Sequence, residues 1–212
     1  EAAWVADRPG VKLAARGVDV ILNPSASHFA FGKADIRRRF VAEGSRSLGV
    51  LYVYSNLLGN EAGRVIYDGQ LLIAERGGIV AESERFGFAD VRVLTTTVDV
   101  NAGRIAFAHN ANHRPALPAE ADAGCIRVDF KWPDVPPEKR PAHLIDSERE
   151  AKEEEFTKAV TLGLFDYLRK SRSNGYVVSL SGGADSAAIA CLIRLMHDAA
   201  IDELGPDFGG KL

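Results

Sequence analysis

Residues 176–186 read YVVSLSGGADS, and this stretch decides how the chain is interpreted. An apolar run stops at Gly182 and Gly183, and a helix-forming stretch begins within a few residues. The pattern predicts a strand, a tight loop and a helix N-terminus. Backbone N–H groups and the positive end of the helix dipole converge on an anion in such a unit, and glycines allow its close approach. The stretch therefore predicts a phosphate-binding loop.

Two other nucleotide-binding patterns do not match this loop. No lysine follows Gly183, as a Walker A loop requires, and the spaced glycines of the dinucleotide fingerprint do not occur here. Ser181 and Ser186 offer hydroxyl donors, and Asp185 offers a ligand for the cation that a polyphosphate carries. The alternative interpretation is a serine N-cap with glycines that only turn a strand into a helix.

Composition and charge give no indication of a nucleic-acid or membrane partner. The 212 residues carry a net charge of -3, and no apolar run approaches the length of a membrane span. Cys125 and Cys191 are far apart in sequence, so neither a disulfide framework nor a zinc knuckle is predicted. With only these two cysteines, a reducing cytoplasmic location is expected, and no signal peptide is recognised at the start of the chain.

Strands and helices are predicted along the first part of the chain. Two buried strands, residues 18–23 and 50–54, flank a helix over residues 35–48, and further strands are expected within 64–83 and 88–100. Pro24 is expected to end the first strand.

Prolines crowd residues 113–146 and indicate a linker. A new helix is predicted from Ser147, where Ser147 and Glu150 form a capping box, with these residues on its buried face: Phe156, Val160, Leu164 and Leu168. We therefore divide the chain into residues 1–112, the linker over 113–146, and residues 147–212. One strand–helix unit cannot bury its own core, so the chain is interpreted as an internal piece of a longer protein.

Several motifs carry a resemblance to known families. The loop over residues 179–186 resembles the pyrophosphate loop of the N-type ATP pyrophosphatases, and residues 1–112 resemble the second half of a nitrilase-type glutaminase domain. The latter match rests on residues 23–33 and on four short motifs, which are Glu1-Ala2-Ala3-Trp4, Tyr52-Val53-Tyr54-Ser55-Asn56, Gly59-Asn60-Glu61 and Asp68-Gly69-Gln70. This order of parts resembles the glutamine-hydrolysing NAD synthetases.

The resemblance implies an α/β fold and an amide-forming ligase. A nitrilase-type αββα sandwich would be followed by the first strand-loop-helix unit of a doubly wound parallel-sheet ATP pyrophosphatase domain. The implied reaction adenylates deamido-NAD with ATP and Mg²⁺, releases pyrophosphate, and forms NAD and AMP with ammonia from glutamine. A homo-oligomer is implied for the full-length protein.

The resemblance also implies site residues. The family's catalytic Cys, Lys and Glu would lie upstream of Glu1, so no catalytic residue is assigned. Ser27 and Lys33 match the glutamine-binding loop, and Asp185 matches a Mg²⁺ ligand. The ATP phosphates would be held by Ser179, Leu180, Ser181, Gly182, Gly183, Ala184, Asp185 and Ser186.

Two alternative functions stay open at this point. One is a different pyrophosphatase-loop enzyme, such as a relative of the GMP or asparagine synthetases, although residues 23–33 argue against it. The other is a catalytically silent nucleotide-binding or interaction module. The chain by itself is expected neither to hydrolyse glutamine nor to make NAD.

Overall fold

A computed structural model describes residues 4–109, 125–126, 128–131 and 151–208. The elements of these ranges, in chain order, are α1 (Pro9–Ala15), β1 (Val20–Ser25), α2 (Lys33–Leu48), β2 (Leu51–Asn56), β3 (Leu58–Glu61), β4 (Val65–Asp68), β5 (Leu71–Glu75), β6 (Gly78–Glu82), α3 (Val100–Ala108), α4 (Lys152–Ser171) and α5 (Ala184–Leu204).

The central feature is a four-stranded mixed sheet with the order β1-β2-β5-β6. Strands β1 and β2 are parallel, whereas β2–β5 and β5–β6 are antiparallel pairs. Helix α2 connects β1 to β2 and packs on the sheet, which buries Val41, Tyr52, Tyr54 and Leu72. Strands β3 and β4 form a separate antiparallel hairpin. The predicted α/β class is confirmed in this mixed arrangement of helices and strands.

Local signals explain most of these elements. Helix α2 ends where Gly49 adopts a left-handed conformation with φ of 65°, which glycine adopts without steric cost. Strand β1, however, runs through Pro24 to Ser25, so the expected stop at Pro24 is wrong. Among the described strands β1 lies at the edge of the sheet, and an edge position tolerates proline because its missing N–H costs no ladder bond there.

Helix α4 packs against the β3–β4 hairpin on one side and against α5 on another. Ala159 and Leu162 share a core with Phe86, and Phe165 joins the core that Met196 of α5 contributes to. The predicted buried face is therefore only partly right. Leu168 is buried and Val160 and Leu164 are half-buried, but Phe156 is 48% exposed. Contacts on two sides shift the buried face toward positions that a single-face pattern does not reveal.

Two predicted strands do not form. Residues 173–180 are irregular, and Val177 is fully exposed. A strand needs a hydrogen-bonded neighbour, and the described residues provide none for this segment. Residues 88–99 are also irregular and lead into α3, so their partial alternation of valines does not mark a strand.

The predicted capping box and the predicted linker fall largely outside the described residues. Ser147 and Glu150 of the capping box are not among the described residues, and α4 begins at Lys152 with Ala151 as its N-cap residue. The linker over residues 113–146 also lies mostly there, so the division into residues 1–112, 113–146 and 147–212 stays a prediction.

Candidate functional site

The glycine-rich loop lies at the N-terminus of α5. Gly183 is the N-cap residue, and Gly182 has φ of 81°, a left-handed value at which a side chain would be strained. The first helical hydrogen bond runs from Ala187 N–H to the Gly183 carbonyl, and α5 starts at Ala184. The N–H groups of the first turn have no intrahelical partner and carry the positive end of the helix dipole.

The side chains of this loop are open to solvent. Of the eight residues assigned to ATP, only Ser186 is half-buried, and the other seven are exposed. The Ser186 hydroxyl donates to the Gly183 carbonyl at 3.1 Å and lies 3.3 Å from the Ser181 hydroxyl. The hydroxyls of Ser181 and Ser186 thus contact groups within the loop, while most of the loop remains exposed.

Asp185 is an exposed carboxylate in the first turn of α5. Within the described ranges, no group of three or more His, Cys, Asp or Glu residues gathers around a metal position. A single carboxylate fits Mg²⁺ that arrives with a polyphosphate, because proteins hold such ions through one or two carboxylates and the phosphates themselves.

Ser27 occupies a buried position in the loop between β1 and α2, where it is 6% exposed. Its backbone N–H donates to Asn56 Oδ1 at 2.8 Å, and its carbonyl accepts from Asn56 Nδ2 at 3.0 Å. Its own hydroxyl oxygen is buried and has no hydrogen-bond partner among the described residues. Buried hydroxyls are ordinarily paired, so this one is a candidate for binding a polar ligand group.

Lys33 is the first residue of α2, in the same loop region. Its Nζ donates to the His28 carbonyl at 2.9 Å and lies 5.1 Å from the centre of the Trp4 ring. Burial and the nearby Arg37 guanidinium lower the pKa of Lys33, although Asp68 opposes them. An ammonium has three donors, so the contact with His28 leaves capacity for a carboxylate.

Sequence reasoning missed the buried charged cluster behind Ser27. Asp68 is completely buried and forms a paired contact with Arg37, which is 1% exposed. Asp68 Oδ1 also accepts from Asn56 Nδ2 at 2.7 Å. Asn56 and Asp68 stood in motifs that carried the family resemblance, so the motifs marked their positions without revealing their contacts.

The cluster continues to helix α4. Arg85 Nη1 lies 3.5 Å from Asp68 Oδ2 and 2.8 Å from Glu155 Oε1 of α4. A groove of about 1090 Å³ opens beside this contact, with Arg85 and Glu155 in its lining. Nearby, Glu82 accepts from Arg38 and from Gln70 Nε2. Charged groups thus connect the part that carries Ser27 to the helix that precedes the glycine-rich loop.

Comparison with solved structures assigns the class of fold. The chain superposes on a glutamine-dependent NAD(+) synthetase from Cytophaga hutchinsonii with a TM-score of 0.64 and 38% sequence identity. That match covers 91% of this chain and 25% of the other. A second synthetase, from Acinetobacter baumannii in complex with ADP, matches with a TM-score of 0.61 at 18% identity, over 92% of this chain and 28% of the other, and shows the fold alone.

Comparison with curated protein sequences identifies relatives as well as the fold. The glutamine-dependent NAD(+) synthetase of Oryza sativa subsp. indica is 31% identical over 213 residues, which cover 96% of this chain and 28% of the rice protein. The human protein of the same name is 32% identical over 92% of this chain and likewise 28% of its own length. No family model matches the chain. The predicted resemblance is confirmed, and the chain is homologous to a segment of the glutamine-dependent NAD(+) synthetases.

Proposed function

We propose that this chain is a segment of an enzyme that amidates deamido-NAD to NAD with ATP and glutamine-derived ammonia. The observation that carries the proposal is the open loop over residues 179–186, in a chain that aligns over 96% of its length with a glutamine-dependent NAD(+) synthetase. The chain spans 28% of that relative. The activity therefore belongs to the full-length protein rather than to this segment.

In the proposed synthetase reaction, a nicotinate carboxylate oxygen attacks the α-phosphate of ATP. The bond between the α- and β-phosphates breaks, and pyrophosphate leaves with the electron pair. Ammonia then attacks the acyl adenylate and displaces AMP to form the amide. Charge develops on the phosphate oxygens in the first step, and free N–H groups at the start of α5 are suited to stabilise it.

Within that reaction, residues 179–186 hold the phosphates, and Asp185 is the Mg²⁺ ligand. The cation supplies charge neutralisation for the leaving pyrophosphate. Ser27 and Lys33 bind glutamine in the amidase part, whose nucleophile would lie upstream of this chain.

The test uses the full-length protein that contains this chain, with deamido-NAD, ATP and Mg²⁺ and either glutamine or ammonium. We expect NAD to form with both nitrogen sources. Asp185→Asn should lower both rates by roughly a hundredfold, since it removes the carboxylate that would hold the charge-neutralising Mg²⁺. Asp198→Asn on the same helix, which removes exposed contacts with Arg194 and His197, should leave both rates unchanged.

The wild-type assay tests the proposed reaction, and the Asp185→Asn assay tests the role of Asp185. A full-length protein that makes no NAD from either nitrogen source would contradict the proposal and favour a nucleotide-binding module. Equal rates in the Asp185→Asn and wild-type proteins would contradict the role of Asp185 and leave the reaction in place.

A further inference from the structure

The backbone of Ser27 is held on both sides by one side chain. Asn56, the last residue of β2, accepts from the Ser27 N–H at 2.8 Å and donates to the Ser27 carbonyl at 3.0 Å. This reciprocal pair resembles one rung of a β-ladder, although the partner is an amide side chain. Residues 27 and 56 are both buried, so water does not compete for these bonds.

The orientation of the Asn56 amide is set by Asp68. The Asp68 carboxylate is an acceptor, and it takes a bond from Asn56 Nδ2 at 2.7 Å. A flipped amide would place its oxygen against that carboxylate and lose both bonds to Ser27. Asp68 is itself fixed by Arg37, whose Nη1 donates to it at 2.8 Å. The chain of contacts therefore allows one amide orientation only.

A second, independent observation concerns the Ser27 hydroxyl. Its oxygen is buried and unpaired among the described residues, although the backbone of the same residue is fully bonded. An unpaired buried hydroxyl costs stability unless something binds it. The surroundings thus fix Ser27 in place and leave its hydroxyl without a hydrogen-bond partner among the described residues.

We propose that Asn56 is a positioning residue that holds Ser27, oriented by Asp68, so that the Ser27 hydroxyl meets a polar group of the glutamine substrate. The inference rests on the proposed glutamine-binding role of Ser27. It extends that role to two residues that act through Ser27 and do not themselves contact the substrate.

The test replaces Asn56 in the full-length protein. Asn56→Asp keeps the acceptor for the Ser27 N–H, removes both donors and places a second carboxylate beside Asp68. We expect the KM for glutamine to rise about tenfold or more, because the loss of buried hydrogen bonds misplaces Ser27. The ammonia-dependent rate of NAD formation should stay unchanged, since it does not use the Ser27 loop. Asn101→Asp, on the exposed surface of α3, is the matched control and should change neither quantity.

A double-mutant cycle separates positioning from general stability. In a Ser27→Ala background, adding Asn56→Asp should raise the KM for glutamine by less than about twofold if Asn56 acts through Ser27. An unchanged KM in the Asn56→Asp protein, or full additivity with Ser27→Ala, would overturn the inference. A purely structural role would lower the amount of active enzyme and thus both maximal rates, with the KM for glutamine unchanged. Failure of the proposed function is distinct, because the wild-type protein would then make no NAD.

Discussion

At the residue scale, the environment of Lys33 gives the proposed glutamine site a pH dependence. Burial and the Arg37 guanidinium lower the pKa of Lys33 below the ordinary value of 10.5, so its ammonium loses its proton at a lower pH than an exposed lysine would. If Lys33 binds the glutamine carboxylate, the affinity is present below that pKa and is lost as the pH rises through it. We predict that the KM for glutamine of the full-length protein rises on the alkaline side, below pH 10.5.

Lys33→Arg tests this prediction, because a guanidinium stays charged across the same range. The alkaline rise in the KM for glutamine should then move to higher pH or disappear, as measured by glutamate release at a series of pH values. Lys12→Arg, at an exposed position of α1, is the matched control and should follow the wild-type profile. An identical profile for Lys33→Arg and wild type would assign the carboxylate to another group.

At the element scale, Asp166 ties α4 to the β3–β4 hairpin. This carboxylate is 1% exposed, accepts from the Asn60 N–H at 2.6 Å, and pairs with Arg169 and with Lys170 at 3.0 Å. Gly59 adjoins it with φ of 112°, and a Cβ there would lie 2.8 Å from Asp166 Oδ2. A glycine is therefore required for the hairpin to approach the helix this closely.

The pKa of Asp166 gives this contact a defined dependence on pH. Burial opposes its ionisation, but the bonds from Asn60, Lys170 and Arg169 outweigh burial and lower its pKa below 3.8. The stabilisation is thus present above the unfolded-state value of about 3.9 and is lost as the pH falls through the lower folded-state value. We predict that Asp166→Asn lowers the free energy of unfolding at pH 7 by roughly 1–3 kcal/mol, as measured by urea denaturation.

This difference should begin to shrink near pH 4, where the unfolded-state carboxyl takes up a proton, and should vanish at the lower pH where the folded-state carboxyl is neutral as well. Asp202→Asn, at an exposed position of α5, is the control and should leave the urea midpoint unchanged. A constant difference between the Asp166→Asn and wild-type proteins down to pH 2 would show that the charge of Asp166 does not stabilise the contact.

At the scale of the whole molecule, residues 4–109 and residues 151–208 share a core, but the glycine-rich loop is not enclosed by other described residues. Phe86 packs with Leu162 of α4, and Glu203 of α5 accepts from the Phe88 N–H at 2.9 Å. Residues 173–180, in contrast, have no sheet neighbour within the described ranges, and the loop that follows is exposed. No described helix is long and apolar enough to cross a membrane.

We therefore predict that the 212-residue chain binds Mg·ATP only weakly, because a ligand is held by buried surroundings as well as by loop N–H groups. Isothermal titration calorimetry should give no saturation at micromolar nucleotide concentrations, whereas the full-length protein should bind. A micromolar dissociation constant for the isolated chain would contradict this expectation. The Gly182→Val variant, which strains the loop at φ of 81°, should abolish any residual heat of binding.

Local sequence determined the loop and most of the elements of the first part. Glycines at positions of positive φ, apolar spacing and the helix stop at Gly49 act over a few residues, so the sequence alone predicts α2, β2 and the strands within residues 64–83. Recognition of the family also came from short motifs, and the relatives confirm it. The predicted strand before the glycine-rich loop failed, because strand formation depends on a neighbour that local sequence does not specify.

Only the tertiary structure decided how the candidate glutamine loop is held. Ser27, Asn56 and Asp68 come from three separate elements or loops, and Asp68 meets Arg37 across 31 positions of sequence. Hydrogen bonds act over about 3 Å, whereas sequence patterns report spacing along the chain. For the same reason, sequence patterns did not predict the contact between Asp166 and Asn60, which lie 106 positions apart. The fold alone brings these groups together. Burial then makes each polar group depend on its partner, because a buried group without a hydrogen bond costs stability.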